Sequence, residues 1–510
     1  MPITNQRSIC VGANQPLPVL RLGLLTLVAV AVHGYHLGVE DGEIYIPAAK
    51  KLLNPSLYPY ATEFFFSHER LSIFGFVLAW TARLLHVSMD WTVFLWYIAT
   101  TFFLLVSCWL LTAKAFPAQR ARWSSVMVIA AVLTMPATNT GLLLMDPYLT
   151  ARSFSTPLTL AALTCLVSRR SGLACFTTLL TALFHPQMAA YLVFLAVVLR
   201  LVDLYAPVRQ RQTTTVVSCI AALPISFHLA PAQEPYREAL YARDFFFLSN
   251  WTWYHWLGLL APLAIMAWFA KGKLQGTTQA FQRLSFALIP FGVTSILAAA
   301  VISSSHSLDC IAPLQPLRCF HLITLIFMLF LGGVFGEHVA KTRPWAIAAV
   351  CIPLAAGMFL VNRATYSNSP HIEAPWSKTS PNAWVNTLLW IRTNTPTDAV
   401  FAVDSRYFKD EGVDVHGFRA ISERSTLADY FKDSGVVAIF PNLAPEWKKM
   451  SNVTYGLNHF RAEDFTRLAT QYPVTWTIIH GPAPDGMTCP HQQDGYVVCI
   501  VPGLSPPVSK

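Results

Sequence analysis

Charge is what this chain has least of: only 12% of its 510 residues are Asp, Glu, Lys or Arg. Soluble globular chains carry about 25%, so a protein bathed in water along its whole length is excluded. Motifs of soluble catalysis are missing too. There is no Walker loop, no dinucleotide glycine fingerprint, no zinc-protease helix and no GxSxG elbow, which leaves nucleotide-driven transport and a nucleotide cofactor without support. The ten cysteines show no CxxC or Cys/His metal spacing. Five of them (Cys108, Cys165, Cys175, Cys219, Cys351) sit in apolar stretches, where cysteine behaves as a small hydrophobe.

What is there in quantity is apolar surface, at 54% hydrophobic residues and a mean hydropathy of +0.45. A helix needs about 20 apolar residues to cross a bilayer core of about 30 Å. Such stretches recur at 17–36, 69–86, 91–113, 123–143, 155–168, 171–186, 187–206, 213–230, 253–270, 284–302, 316–336 and 344–362. The first is too long for a signal-peptide core and reads as a retained helix. The net charge of +9 falls largely in short turns such as "SRRSG" (168–172), "VRQRQ" (208–212), "KGKLQ" (271–275) and "KTRP" (341–344). These mark the cytoplasmic side and are not a nucleic-acid footprint. Twelve crossings with an outward tail would leave Arg7 and Arg21 outside, although Lys114, Arg120 and Arg122 also look cytoplasmic. A total of 11 or 13 crossings, with one early helix miscounted, restores the parity, so about 11–13 transmembrane helices are expected.

From residue 363 the pattern changes. "NAWVNTLLWIRTNTPTDAVFAVDSR" reads as helix, turn and strand; "STLADYFKDSGVVAIF" and "FTRLATQYPVTWTIIH" repeat that order. "HQQDGYVVCIV" is a hairpin turning at Asp494–Gly495. Cys489 and Cys499 flank it, either bonded in an oxidising exterior or both free. The expected fold is therefore mostly α, a polytopic membrane helical bundle (1–362) with a first outer loop at 37–68, followed by a small extracytoplasmic α/β domain (363–510).

Chemistry needs polar groups placed where the chain leaves the hydrocarbon. Glu40, Asp41 and Glu43 follow the first apolar stretch and precede "EIYIPAAKKLL", which suits a helix lying along the membrane, and the aromatic, proline-rich "NPSLYPYATEFFF". Asp146 in "MDPYLTARSFS" either faces the same side or simply ends a helix before Pro147. Arg152 enters a short span and needs an anionic partner, met by a lipid phosphate or by Asp146 folding back. His185 and Gln187 in "FHPQ" can bind phosphate oxygens or sugar hydroxyls, or cap a turn. Arg318 in "LQPLRCFH" can grip a phosphate bidentately or snorkel to the interface. The aromatics of 231–252 suit an interfacial belt or stacking on sugar rings, and the tail's charges a solvated face or a glycan contact.

The stretches "VEDGEIYIPAAKKLLNPSLYPYATEFF", "DPYLTARSFSTP", "FHPQ" and "LQPLRCFH", with about a dozen spans and an outer α/β tail, resemble the GT-C superfamily of membrane glycosyltransferases. The resemblance covers nearly the whole chain and points to a poorly characterised bacterial branch. It implies a hexosyl- or pentosyltransferase of the inner (cytoplasmic) membrane, with a sugar on a polyprenyl phosphate as donor and a glycan, lipid or protein as acceptor. By position, the catalytic carboxylate would be Asp41, then Glu40, with Asp146 as the second acidic group. A divalent metal associated with the acidic residue belongs to the same expectation. "EDGE" departs from the acidic pattern of oligosaccharyltransferases and protein mannosyltransferases, which leaves sugar and acceptor open. The competing readings are a transporter or flippase, a polysaccharide polymerase or ligase, and a non-enzymatic membrane assembly factor. Convergence of Asp41, Asp146, His185 and Arg318 on one cavity favours the enzyme; scatter favours the others.

Overall fold

The computed structural model describes residues 17–205, 231–272 and 274–502. Arg7, the basic turn 208–212, the expected span 213–230 and Lys273 lie outside them. The bundle contains α1 (Val19–His33), α2 (Gly42–Leu53), α3 (Glu63–Glu69), α4 (Phe74–Leu85), α5 (Met89–Ala115), α6 (Gln119–Ala131) and α7 (Ala151–Val167). It continues with α8 (Ser171–Phe184), α9 (Pro186–Tyr205), α10 (Tyr236–Tyr241), α11 (Trp253–Lys271), α12 (Gln279–Ile302), α13 (Phe320–His338) and α14 (Trp345–Thr365). Among the described residues, six helices are long and apolar enough to cross a membrane: α5, α9, α11, α12, α13 with its 3-10 lead-in, and α14. The apolar helices α1, α4 and α8 are shorter.

Two expected spans change shape. The 123–143 stretch stays helical only to Ala131 and then runs irregularly to Thr150, because Pro136 lacks a donor and "TNTG" (138–141) favours turns. The 69–86 stretch becomes α4, whose twelve residues start and finish at one end of the bundle. At its start, the Ile73 amide donates to the Leu183 carbonyl at the close of α8 (2.9 Å) and Ser72 Oγ to that of Phe184 (2.7 Å). At its finish, Arg83 donates to the Leu52 carbonyl at the close of α2 (2.7 Å). Three residues past the end of α4, α5 begins, and its Asp90 meets Arg392 of the tail (2.7 Å). The opposite end gathers the close of α5 with the start of α12, through the Thr278 amide and the Ala115 carbonyl (3.0 Å), and α6 with α13, through Arg120 and Glu337 (2.9 Å).

The tail holds α15 (Ala383–Asn394), α16 (Phe418–Ser422), α17 (Lys432–Ile439), α18 (Ala444–Val453) and α19 (Ala462–Gln471). Its strands are β1 (Val400–Ala402), β2 (Ser425–Thr426), β3 (Trp476–His480), β4 (Thr488–Gln493) and β5 (Tyr496–Ile500), in sheet order β2-β1-β3-β5-β4. β1 is parallel to β2 and β3, while β5 is antiparallel to β3 and β4. The β4–β5 turn uses positive φ at Asp494 (48°) and Gly495 (86°), and Cys489 is bonded to Cys499. One expected strand is corrected: "GVVAIF" belongs to α17, with Val436 and Val437 fully buried. Its β-branched run reads as strand only until that burial is seen, since tertiary packing overrides weak propensity.

The tail is docked on the opening loop. Gly34 ends α1 at φ +73°, and a Cβ there would stand 2.4 Å from the His371 carbonyl oxygen, so glycine admits the connector beyond α14. The buried His36 and His416 both reach Glu373 Oε1 (3.2 and 2.7 Å). Burial alone would raise the Glu373 carboxyl, but His416 and the hydrogen bonds from both imidazoles hold it down at about 2. Burial alone would lower His416, yet Glu373 raises it. The Glu373 contribution is present above its ordinary 4.5 and lost as pH falls toward 2, whereas the His416 contribution is present below 6.5 and lost as pH rises through its elevated folded value. Thermal stability is therefore expected to decline as pH is raised above neutrality, and His416→Gln to flatten that decline; an unaltered slope in the variant removes this pair as its source.

Candidate active site

Asp41 sits at the N-terminus of α2 without capping it, so its carboxylate faces other partners. Arg152, the second residue of α7, holds that carboxylate with one arm of its guanidinium (Nη1 to Oδ2, 3.0 Å) and Asp146 with the other (Nη2 to Oδ2, 2.8 Å). α7 starts there because Thr150 and Ser153 form a capping box. Asp146 is brought in by the irregular 132–150 segment, whose Leu144 carbonyl is held by His321 Nε2 (3.1 Å). The planar guanidinium fork presents a separate nitrogen to each carboxylate, in a fixed geometry that a single ammonium lacks. Arg152 and Asp146 are only 6% and 5% exposed, whereas the Asp41 side chain keeps 27%.

Three further cations surround this pair. Lys432, at the start of α17, contacts Glu40 and stands 3.6 Å from Asp41 Oδ1. Arg243, in the 231–252 loop, donates to the Lys432 carbonyl (2.9 Å), in space that exists because residue 435 is glycine; a Cβ there would fall 2.2 Å from Arg243 Nη2. Arg318 lies 5.5 Å over the Phe245 ring. Burial pushes the Asp41 carboxyl up, but Lys432, Arg152, Arg243 and Arg318 together hold it well below the usual carboxylate range. Asp146 goes the other way, because burial outweighs Arg152 and the Asp41 charge adds to it. The Nε groups of Arg243 and Arg318 are buried with no hydrogen-bond partner among the described residues, and neither guanidinium has a carboxylate within ion-pair distance there. Buried donors are costly without an acceptor.

Of the residues expected from the sequence, Asp41, Glu40, Asp146 and Arg152 meet directly. Arg318 and His185 lie within electrostatic reach of Arg152 and Asp41, and His185 Nδ1 is buried without a hydrogen-bond partner among the described residues. Gln187 is engaged elsewhere, its amide donating to the Pro313 and Leu314 carbonyls (3.3 and 3.1 Å). It positions the loop before Arg318 in place of an open phosphate contact. Lys432 and His68 were not foreseen. His68 lies in the field of Asp41, Arg152 and Arg318, and burial lowers it to about 4, so it is a neutral imidazole. Glu43, third of the opening carboxylates, is structural: fully buried, it accepts the Arg419 and Ala420 amides at the start of α16 (both 2.9 Å). Among the described residues no three His, Cys, Asp or Glu side chains are grouped to hold a metal ion; Asp41 and Asp146 face one guanidinium instead.

No family model matches the chain, and no curated protein is detectably similar to it in sequence.

Proposed function

We propose that this is an integral membrane glycosyltransferase that moves a sugar from a polyprenyl-phosphate donor to an acceptor hydroxyl on the side of the membrane that carries the tail. The observation that carries this reading is the pair of buried guanidiniums, Arg243 and Arg318, whose Nε groups lack a hydrogen-bond partner and which have no carboxylate within ion-pair distance among the described residues, near the Asp41–Arg152–Asp146 bridge. Arg152, Arg243, Arg318 and Lys432 face the carboxylates Glu40, Asp41 and Asp146, which leaves one positive charge in excess. A sugar phosphodiester carries one negative charge and balances it. Guanidinium is also the side chain best matched to phosphate oxygens.

In the reaction, the acceptor oxygen attacks the anomeric carbon, the new C–O bond forms, and the bond from that carbon to the phosphate oxygen breaks. The electron pair leaves on polyprenyl phosphate, whose charge the two arginines offset. The acceptor proton passes to Asp41. The surrounding cations hold the Asp41 carboxyl low. Phosphate binding screens those cations and raises its basicity, which links proton abstraction to donor occupancy.

Topology supports the same arrangement. Six helices are long and apolar enough to cross; with α1, α6, α7, α8 and the 213–230 stretch read as further crossings the count would be eleven, within the expected range. That count would put the basic turns inside and the tail outside, a reading that the Cys489–Cys499 bond supports because disulfides persist in oxidising compartments. The host would be a bacterial inner membrane.

The test uses the purified protein in lipid nanodiscs with a panel of labelled polyprenyl-phosphate sugars. Arg318→Ala is expected to weaken donor binding about 10–100-fold, the effect of losing one charge-assisted hydrogen-bonding group. Unchanged affinity would remove Arg318 from the donor site, and absence of transfer or binding with every donor would sink the assignment.

A further inference from the structure

We propose that Lys432 is a positioning residue for Asp41, so that the carboxy-terminal unit completes the reaction centre and is more than an appendage resting on it. This inference rests on the transferase reading of the site. Its geometry is the following. The Lys432 side chain is 7% exposed, its ammonium touches Glu40 and reaches to 3.6 Å of Asp41 Oδ1, and its backbone carbonyl anchors Arg243 (2.9 Å). One residue of the tail thus sets the place of two cations at the site. Its own backbone is fixed by Asp429, which accepts the Lys432 amide, and by Asp433, which holds Arg419 (Nη1 to Oδ1, 3.0 Å).

The bland alternative is that Lys432 is one more tie fastening the tail to the bundle. The other ties make that role redundant. Glu43 accepts two α16 amides, Lys50 donates to the Ala420 carbonyl (2.8 Å) and joins Asp90 and Glu423 (3.0 and 2.9 Å), and Tyr58 donates to the Arg419 carbonyl (2.9 Å). His36 and the Leu37 amide, both hydrogen-bonded to Glu373 (3.2 and 2.9 Å), add a further tie. None of these touches Asp41. Besides Lys432, the titratable groups that face Asp41 include Arg152 on α7, Asp146 and Tyr148 on the irregular segment, Arg243 on the outer loop, Arg318 before α13, His68 on α3, Tyr45 on α2, His185 at the close of α8 and the adjacent Glu40. Lys432 alone among the cations comes from the tail. With Arg152 divided between two carboxylates, Lys432 is the cation within ion-pair distance of the second oxygen of Asp41.

The experiment compares wild type with Lys432→Met and Lys432→Arg in nanodiscs. Lys432→Met is expected to lower kcat about 10–100-fold, to leave the donor KM within a few-fold, and to move the acidic limb of the pH profile upward, because Asp41 then titrates with one cation fewer. Lys432→Arg should restore most of the rate. A second readout needs no turnover. Carbodiimide coupling of Asp41 with an amine, quantified by mass spectrometry near pH 5, should be several-fold faster in Lys432→Met, since the protonated carboxyl is the reactive form. Thermal unfolding and limited proteolysis of the 366–382 connector should match wild type. An unmoved pH profile together with unmoved Asp41 labelling overturns the proposal while leaving the transferase reading intact. Failure of wild type to use any lipid-linked sugar sinks that reading, and the labelling result then still decides whether Lys432 governs Asp41. Release of the connector to protease in Lys432→Met would show a docking role and also overturn the proposal.

Discussion

Replacing Asp41 by asparagine is expected to lower sugar transfer about 10²–10⁴-fold, the usual size of a general-base contribution, while the protein stays folded. The amide oxygen of asparagine still accepts from Arg152 Nη1, so the 3.0 Å contact has a substitute. The proton acceptor and the negative charge are both lost. Donor binding should hold or tighten, because removing a carboxylate leaves the site more positive. Transfer at the wild-type rate in Asp41→Asn would exclude Asp41 as the base; the same variant at Asp146 then becomes the discriminating measurement.

Arg152→Ala should be the most damaging single change to stability. It leaves Asp146, 5% exposed, and Asp41 facing each other without the guanidinium that bridges them. Removing one partner of a buried ion pair costs about 3–5 kcal/mol, enough to unfold many proteins outright. Arg152→Lys keeps the charge but reaches only one carboxylate at a time, so an intermediate loss is expected. The double variant Arg152→Ala/Asp146→Asn should recover part of the single-variant loss, because it removes one of the stranded charges. Thermal unfolding in detergent reads all three, and equal stability of Arg152→Ala and wild type would show that the bridge contributes nothing.

Much of this was legible in the chain. Apolar stretches, basic turns and the change of pattern after residue 363 follow from composition and periodicity. So does the Asp494–Gly495 hairpin; whether Cys489 and Cys499 are bonded or free was left open by the sequence, and the fold pairs them. Asp146 and Arg152 stood out because an ion among apolar residues needs a partner, and they became each other's. α4 was misread because hydropathy measures how oily a stretch is and not which way it runs. Its twelve residues are as apolar as a crossing helix, and only the contacts of Ser72 and Arg83 reveal that it begins and ends on one side. Lys432 was hidden for the opposite reason. In a charged tail one more lysine carries no signal, and its partner Glu40 is 392 residues away. Glu43 was conspicuous and proved to be a latch, because its environment comes from α16, which no local pattern near residue 43 announces.

The separation between Glu40 and Lys432 also orders events during synthesis. A ribosome that has finished Thr365 has delivered every apolar helix, yet Lys432 is still to come, several seconds away at about 5–20 residues per second. Until it arrives, the opening loop holds its carboxylates without their final counter-ion. A chain broken off anywhere in that interval would carry the apolar helices without the cation that faces Glu40 and Asp41. On the proposed transferase reading, the site is complete only once translation has passed Lys432, and unfinished copies are expected to spare the lipid-linked donor.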